Sequence, residues 1–340
     1  MKSDIFILAI ESSCDDTSAA VLKNRTVLSN VIATQKIHEQ YGGVVPELAS
    51  RAHQKNIVPV VKSAIEKSGI TIDQLNGIAF TRGPGLLGSL LVGTSFAKGL
   101  SINLGIPLIE INHMKAHILA HFIDNNNYEQ EVEFPLLCLT VSGGHTQLVV
   151  VNSPYDFKVV GETIDDAAGE AFDKIAKTIG LPYPGGPLID KLAKEGNSKA
   201  FKFPISSVKD LNYSFSGLKT SVLYFLQKEV KKNPHFIEEN KADLCASVQF
   251  TIIQTLLKKL IKAIEIYQPK SIALAGGVSA NSELRCTIVN LGKELGIPAF
   301  IPAFEYCTDN AAMIGISGYY NFLNEEFSNL KVTASPRLSV

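Results

Sequence analysis

The sequence predicts an α/β protein of two domains that face a central cleft, and three observations carry this prediction. The chain has 340 residues, of which 46% are hydrophobic and 19% charged, enough for about two domains with separate cores. Residues 5–22 and 136–151 each contain an apolar run, a polar or glycine-rich turn and a second apolar run, the pattern of a strand, a tight turn and a strand. Alternating helical and strand-like stretches follow both segments, as in sheets that bind ligands at the carboxyl ends of their strands.

In the first half, the paired strands and a third strand-like run precede helices and strands in alternation. The predicted elements are a helix at residues 45–68, a strand at 77–81, a glycine-rich packing turn at 82–88 before a further helix, and a strand at 107–111. We therefore expect a first domain at residues 1–110, completed by part of residues 305–340.

The second domain is predicted at residues 111–304, with a helical insertion at about residues 161–241. Its longest helix, residues 246–268, has apolar side chains at helical spacing and Lys258, Lys259 and Lys262 on the opposite face. The elements predicted after it are a strand at 271–274, a Gly-Gly turn, a helix from about 282, a strand near 299–302, and a helix with Thr308 as its N-cap.

Charge and cysteine content exclude several classes of protein. Lys and Arg (32) and Asp and Glu (33) nearly cancel to a net charge of -1, so binding RNA would require a local basic patch or a helper protein. The five cysteines include no pair at the spacing of a zinc knuckle, which favours a reducing compartment over a disulfide scaffold. The apolar run at residues 5–10 is too short for a signal peptide, and no membrane span is predicted. We expect a soluble, cytoplasmic protein.

Two histidines follow the predicted strand at residues 107–111. With Asn112 as N-cap, His113 and His117 lie at i and i+4 on one helical face, a spacing that suits a metal as well as two surface histidines. The spacing leaves the third ligand open between His121 and Asp309. Zinc proteases of the His-Glu-x-x-His type carry a glutamate where this chain has Met114, so a protease would lack its general base.

Two glycine-containing turns are candidates for binding a nucleotide. Residues 142–146, Ser-Gly-Gly-His-Thr, lie between two predicted strands, where backbone N–H groups and hydroxyls can approach a phosphate. An ordinary hairpin turn is the alternative, but the polar turn at residues 12–17 would let two hairpins clamp a polyphosphate. Residues 275–281 link a strand to a helix and end in Asn281, which could bind a base or ribose, although a simple turn fits as well.

Carboxylates are concentrated at the start of a helix in the insertion. Asp165, Asp166, Glu170 and Asp173 would complement the positive end of the helix dipole. Asp173, the glycine turn at residues 185–186 and Asp190 could instead bind hydroxyls of a substrate. For Cys14, no histidine is placed beside it by the sequence, so we expect a buried structural thiol rather than a nucleophile.

Taken together, the motifs resemble those of one family along nearly the whole chain, the bacterial tRNA N6-adenosine threonylcarbamoyltransferases, formerly called O-sialoglycoprotein endopeptidases. The matching blocks are residues 10–17 (IESSCDDT), 41–47 (YGGVVPE), 83–86 (GPGL), 113–117 (HMKAH), 141–147 (VSGGHTQ), 165–173, 183–187, 214–219 (SFSGLK), 276–281 and 307–310 (CTDN). Residues 124–133 and 228–240 depart from the pattern, and we predict surface loops there.

The resemblance implies the fold of actin, sugar kinases and acetate kinase (ASKHA), with two such domains. It implies His113, His117 and Asp309 as ligands of one divalent metal per subunit, and such a mixed nitrogen and oxygen site accepts Fe²⁺ or Zn²⁺. The nucleotide-binding residues that it implies are Thr140, Val141, Ser142, Gly143, Gly144, Asp173, Gly186, Asp190 and Asn281.

The resemblance also implies an activity and partners. The threonylcarbamoyl group of threonylcarbamoyl-AMP would pass to N6 of the adenosine 3′ of the anticodon in tRNAs that read codons beginning with A, and AMP would leave. The implied partners are tRNA, a paralogue of the same fold and a small P-loop ATPase. Competing hypotheses are an ATP-dependent kinase of the same superfamily, which would not need the histidine pair, a metalloprotease, and a catalytically inactive binding protein.

Overall fold

The computed structural model describes residues 4–124 and 131–340, which divide into two compact units. The first contains the described residues up to Val132 together with Pro302–Val340, and the second contains Glu133–Ile301. The chain therefore first passes from one unit to the other between residues 132 and 133, later than the expected boundary at residue 110. The physical reason is that the helix carrying His113 and His117 packs against strands and the last helix of the first unit.

The helices and strands alternate in the order expected from the hydrophobic pattern. The strands are β1 (Phe6–Glu11), β2 (Asp16–Lys23), β3 (Thr26–Thr34), β4 (Gly77–Gly83), β5 (Leu108–Asn112), β6 (Leu136–Val141), β7 (Thr146–Ser153), β8 (Asp156–Glu162), β9 (Ser271–Ala275) and β10 (Ala299–Phe300). The helices are α1 (Pro46–Ser68), α2 (Leu87–Leu104), α3 (His113–Leu119), α4 (Ala168–Ile179), α5 (Gly185–Ala193), α6 (Ser216–Lys232), α7 (Phe236–Glu239), α8 (Lys241–Tyr267), α9 (Ser282–Leu295) and α10 (Ala311–Leu323).

The sheet of the first unit has the strand order β3-β2-β1-β4-β5 among the described residues. β1 pairs antiparallel with β2 and parallel with β4, and β4 pairs parallel with β5. Because residues 6–10 of β1 are all apolar, this part of the strand can be buried on both faces. Leu8 and Ile10 belong to the core cluster that includes apolar residues of α1, while Ile7 lies on the side of α10, beside Gly318.

The sheet of the second unit repeats this topology in the order β10-β9-β6-β7-β8. β6 pairs antiparallel with β7 and parallel with β9, which confirms the predicted strand, turn and strand in both halves. Helix α8 packs against this sheet and against α4 and α5. By length and hydropathy α8 could also cross a membrane, but 78% of its apolar window is buried within the protein, as in a core helix of a soluble protein.

Helices α4 to α7 occupy the predicted helical insertion, which confirms its secondary structure class. The surface loop predicted at residues 228–240 is wrong, because α6 runs on to Lys232 and α7 follows. Phe236 and Ile237 explain α7, since both pack against the core of this unit. Of the other predicted loop, residues 125–130 lie outside the described part of the chain.

Two side chains differ from their predicted roles. Lys259 was placed on the exposed face of α8, but it is only 7% exposed. Its amino group donates to the carbonyl oxygens of Val208 and Asp210 at 2.7 and 2.8 Å, which compensates its burial. Thr308 is not the N-cap of α10: the Oδ1 atom of Asn310 accepts a hydrogen bond from the N–H of Met313 at 3.0 Å.

Candidate metal centre and nucleotide-binding loops

The first candidate site is built on α3, a seven-residue helix that begins directly after β5. Asn112 is its N-cap, as predicted, because Oδ1 accepts from the N–H groups of Met114 and Lys115 at 2.9 and 3.1 Å. The cap fixes where the helix starts and so places His113 and His117 one turn apart. Their rings meet edge to face, with centroids 4.7 Å apart.

Asp309 completes a group of three possible metal ligands. Its Oδ1 atom lies 3.3 Å from Nε2 of His113 and 3.2 Å from Nε2 of His117. One ligand atom from each residue lies within 4.8 Å of the other two. Among the described residues the group includes Asp309 and not His121, so the geometry favours Asp309 as the third ligand.

The donor set fits a divalent transition metal. Two imidazole nitrogens and one carboxylate oxygen converge, and both histidines are buried while the Asp309 side chain is 26% exposed. Zn²⁺ and Fe²⁺ both accept such mixed ligands, and three protein ligands leave positions open for a substrate. The geometry therefore supports a metal site that remains accessible on the side of Asp309.

Burial and opposite charges shift the pKa values of all three side chains. Burial by itself would lower the pKa of His113, but Asp309 and Glu11 together raise it well above its usual value. For Asp309, burial works in the opposite direction, and the two histidines hold its pKa well below the usual range. Burial lowers the pKa of His117; the hydrogen bond to Asp309 opposes this effect and the charge of His113 adds to it. A proton held on His113 must leave when a metal binds.

Glu11 also contacts this group, and it is not among the site residues predicted from the sequence. Its Oε2 atom lies 3.0 Å from Nδ1 of His113 and accepts from the Thr81 hydroxyl at 2.6 Å. The backbone N–H of Ser13 donates to the other carboxylate oxygen. A signal was present in the sequence, because Glu11 follows directly on an apolar run that predicts a fully buried strand.

Met114 and Cys14 lie near the site, but neither can serve as a general base or as a nucleophile. Met114 is 2% exposed and belongs to the core, so it supplies no general base. Burial, with Asp15 and Asp309 adding to it, raises the pKa of the Cys14 thiol. The thiol is therefore protonated at neutral pH and a poor nucleophile.

In the second unit, the Ser-Gly-Gly-His-Thr turn joins β6 to β7. Its ends are tied by the N–H of Ser142, which donates to the carbonyl of His145 at 2.8 Å, and by the Ser142 hydroxyl, which accepts from His145 at 3.0 Å. Gly143 and Gly144 are exposed, and among the described residues neither backbone N–H donates a hydrogen bond. Such outward-facing N–H groups are able to bind an anion.

This turn also lies against the start of α4. The N–H of Gly169 donates to the carbonyl of Ser142 at 3.2 Å, and the N–H of Ala168 donates to the Thr146 hydroxyl at 2.9 Å. A Cβ at Gly169 would lie 2.5 Å from the Ser142 carbonyl oxygen, so only glycine permits this approach. The positive end of the α4 dipole thus adds to the potential at the turn.

The remaining predicted nucleotide-binding residues make specific contacts within the second unit. Asp173 accepts from the N–H groups of Gly185 and Gly186 at 2.8 and 3.1 Å. Asp190 accepts from the backbone and hydroxyl of Ser282 at the start of α9. Their role toward a nucleotide stays a prediction.

Three further members of the predicted set lie close to these contacts. Asn281 caps α9 and donates to the side chain of Gln249 at 2.7 Å. Thr140 and Val141 are buried in β6. They support the Ser142 turn from its strand, and a direct contact of either with a nucleotide also stays a prediction.

Other carboxylates at the start of the insertion have structural partners. Asp165 accepts hydrogen bonds from Ser214, Phe215 and Ser216 at the start of α6. Asp166 forms an ion pair with Lys174 at 2.8 Å. Asp165 thus contacts the start of α6 rather than that of α4, the helix whose dipole it was expected to complement, and Asp166 pairs with a lysine of α4.

Comparison with known proteins identifies the family. Residues 26–316 match the family model described as TsaD, tRNA N6-adenosine threonylcarbamoyltransferase. The chain belongs to this family. Proteins of the same name from Christiangramia forsetii and Porphyromonas gingivalis are 62% and 60% identical to it. The alignments cover 98% of this chain and of the first relative, and 100% of this chain and of the second. The chain is therefore an enzyme of tRNA modification.

Solved structures of low sequence identity share the fold of this transferase. Component A of (R)-2-hydroxyglutaryl-CoA dehydratase from Acidaminococcus fermentans aligns with a TM-score of 0.55 at 15% identity, over 93% of this chain and 98% of that chain. A ROK hexokinase from Thermus thermophilus aligns with a TM-score of 0.50 at 14% identity, over 94% and 100%. These neighbours confirm the predicted ASKHA fold class.

Proposed function

We propose that this enzyme transfers the threonylcarbamoyl group of threonylcarbamoyl-AMP to N6 of the adenosine 3′ of the anticodon, in tRNAs that read codons beginning with A. In this reaction the carbonyl carbon forms a bond with N6, its bond to the phosphate oxygen breaks, and N6 loses a proton. AMP leaves. The observation that carries the proposal is the convergence of His113, His117 and Asp309 in a chain of the transferase family.

Those three side chains would hold one Fe²⁺ or Zn²⁺ ion per subunit. A divalent metal supplies Lewis acidity toward a carbonyl oxygen and orients its ligands. The two buried histidines hold the inner side of the site, and the partly exposed Asp309 marks its open side. Because position 114 is an apolar methionine, α3 carries no carboxylate that could activate water at the metal. This suits transfer to a nucleophile other than water.

The Ser142 turn would hold the phosphate of the adenylate. Ser142, Gly143 and Gly144 supply hydroxyl and backbone donors, and the start of α4 adds a positive potential. Asp173, Gly186, Asp190 and Asn281 surround the start of α5 and α9, where they would bind the nucleoside together with the edge of β6 at Thr140 and Val141. These donors would stabilise the phosphate charge as AMP departs.

The RNA substrate requires a partner in this proposal. The net charge of -1 supplies little attraction for a polyanion. A paralogue of the same fold and a small P-loop ATPase would complete the RNA-binding surface. In the described structure none of the five cysteines forms a disulfide bond, in accord with a reducing cytoplasm as the site of this reaction.

Reconstitution tests the proposal. Purified protein with the two partner proteins and the synthase of the adenylate is incubated with unmodified tRNA, ATP, threonine and bicarbonate, and the digested tRNA is analysed by mass spectrometry. We expect threonylcarbamoyladenosine, with AMP released in equal amount. Phosphorylation of an added substrate without nucleoside modification would favour a kinase instead.

A matched pair of variants tests the metal site within the same assay. The double variant His113→Ala/His117→Ala should contain no stoichiometric metal and should form no modified nucleoside. Replacement of both exposed lysines Lys62 and Lys67 of α1 by alanine is the control for a double substitution. Modification by the metal-free histidine variant at the wild-type rate would exclude the assigned site.

A further inference from the structure

Glu11 is a buried carboxylate that lies outside the group of three metal ligands. It is the last residue of β1 and is 0% exposed. A buried carboxylate is strongly unfavourable unless hydrogen bonds compensate its charge. Three groups do so here: the N–H of Ser13, the Thr81 hydroxyl and Nδ1 of His113. The carboxylate is thus held from the turn that follows its own strand, from β4 and from α3.

The two nitrogens of His113 face different groups. Nδ1 lies 3.0 Å from Glu11 and 3.3 Å from the Ser13 hydroxyl, and Nε2 faces Asp309 at 3.3 Å. A metal ligand must offer the lone pair of one nitrogen, which leaves the hydrogen on the other. With Nδ1–H donated to Glu11, Nε2 is the nitrogen left to supply a lone pair to a metal on the side of Asp309.

His117 has no equivalent support. Its Nε2 atom lies 3.2 Å from Asp309, but its buried Nδ1 atom has no hydrogen-bond partner among the described residues. The two histidines therefore differ in how their rings are held. One is oriented by a carboxylate and the other by packing.

We propose that Glu11 is a positioning residue, which accepts the Nδ1–H of His113 and so orients Nε2 of that ring toward the metal. The inference rests on the metal site of the proposed function. Carboxylates that support a metal-bound histidine in this way commonly contribute 10- to 100-fold in metal affinity. Thr81 and Ser13 hold Glu11 in place, so that the site is already arranged before the metal binds.

The substitution Glu11→Gln tests this role because it retains size and removes one acceptor. The N–H of Ser13 is an obligatory donor, so the amide oxygen must face it. The amide NH₂ group then faces His113, where two donors would oppose each other. Nδ1 of His113 must become the acceptor, and the hydrogen moves to Nε2, where it blocks the metal.

The experiment is a Zn²⁺ titration of metal-free wild type, Glu11→Gln and Ser13→Ala, in competition with a chromophoric chelator. We expect Glu11→Gln to bind Zn²⁺ about 10- to 100-fold more weakly. Ser13→Ala should stay within about twofold of wild type, because it removes the more distant neighbour of Nδ1 and keeps the backbone N–H. Equal affinity of all three proteins would overturn the role of Glu11 and leave the metal site intact. Failure of the wild type to bind Zn²⁺ would overturn both.

A second measurement uses the wild-type protein alone. In long-range ¹H–¹⁵N spectra of the Zn²⁺-loaded wild type, His113 should carry its hydrogen on Nδ1, and this hydrogen should exchange slowly with solvent. A wild-type His113 that binds Zn²⁺ through Nδ1, or whose Nδ1–H exchanges rapidly, would contradict the proposal.

Discussion

Met114 lies between the two histidines of α3, at the position where His-Glu-x-x-His proteases carry their general base. Its side chain is 2% exposed and can neither accept nor donate a proton. A metal at this site would therefore act without an adjacent carboxylate on the same helix. This single residue separates the chemistry of the transferase from that of a protease.

We expect Met114→Leu to retain tRNA modification and His117→Ala to lose both modification and bound metal. Leucine replaces methionine in a core at a cost below about 1.5 kcal/mol, whereas His117 supplies a ligand atom. The measurements are metal content by mass spectrometry and modified nucleoside per tRNA, with casein as a protease substrate that should stay intact. Loss of modification in a folded, metal-loaded Met114→Leu protein would contradict the interpretation.

The partly buried carboxyl group of Asp16 should make the free energy of unfolding depend on pH. Its Oδ1 atom is buried with no hydrogen-bond partner among the described residues. Burial, with repulsion from Asp309 and other carboxylates, raises the pKa of this side chain to about 7. An unfolded aspartate has a pKa of about 3.9. Between these values the folded state binds the extra proton, so this group's contribution to stability decreases as the pH rises from about 4 to about 7.

The substitution Asp16→Asn removes this dependence. Relative to wild type, the variant should gain about 2–3 kcal/mol of unfolding free energy between pH 5 and pH 8, since one pKa unit corresponds to about 1.4 kcal/mol. Urea unfolding of both metal-free proteins at the two pH values measures the difference. All other titrating groups are common to both proteins and cancel. An equal difference at pH 5 and pH 8 would show that Asp16 titrates normally.

Two glycines near the β6–β7 turn differ in the space that a side chain would find there. A Cβ at Gly143 would meet nothing within 4 Å, while a Cβ at Gly169 would meet the backbone of the turn. The first position is open to solvent or to a ligand. The second holds α4 against the turn.

Gly143→Val should therefore fold normally and bind the adenylate at least about fivefold more weakly, since the loss of one hydrogen bond costs about 1 kcal/mol. Its Cβ would occupy the space in which a phosphate meets the backbone. Calorimetric titration with a non-hydrolysable adenylate analogue measures the affinity. Gly169→Ala is the contrasting control, and its melting temperature should fall. Wild-type affinity in a folded Gly143→Val protein would remove the turn from the phosphate site.

For the whole molecule, charge is the property that bears on the RNA substrate. Positive and negative side chains nearly cancel, so tRNA meets no general positive field. Five lysines of the second unit are close along the sequence and exposed: Lys191, Lys194, Lys199, Lys202 and Lys209. A solvated face is the ordinary role of such side chains, so the group requires its own test.

We expect the isolated protein to bind tRNA weakly at physiological salt and the complex with its partners to bind more tightly. Fluorescence anisotropy with labelled tRNA at several salt concentrations measures both affinities. Lys199→Glu/Lys202→Glu should weaken binding by the complex, while the matched variant Lys62→Glu/Lys67→Glu on α1 should not. Nanomolar binding by the isolated protein would refute the requirement for partners.

Local patterns in the amino-acid sequence predict the first pair of strands in each sheet and two of the three candidate metal ligands. Apolar runs around polar turns predicted β1 with β2 and β6 with β7, because the period of side chains along a strand is local. Asn112 predicted the start of α3, and the cap places His113 and His117 on one face within a single turn. Each of these features depends on residues that are neighbours along the chain.

Tertiary structure brings distant residues to these features: the family resemblance had implied Asp309, whereas the role of Glu11 is evident only from the fold. Asp309 is 192 positions from His117, and Glu11 is 102 positions from His113, so no local period relates them. Packing of α10 against α3 and β1 brings Asp309 to the histidines, and the pairing of β1 with β4 brings Glu11 beside Thr81. The burial of Lys259 likewise depends on distant residues, since its amino group donates to two carbonyl groups about fifty residues away along the chain. Hydrophobic burial in the sheet drives these approaches, and it depends on the whole fold rather than on any one segment.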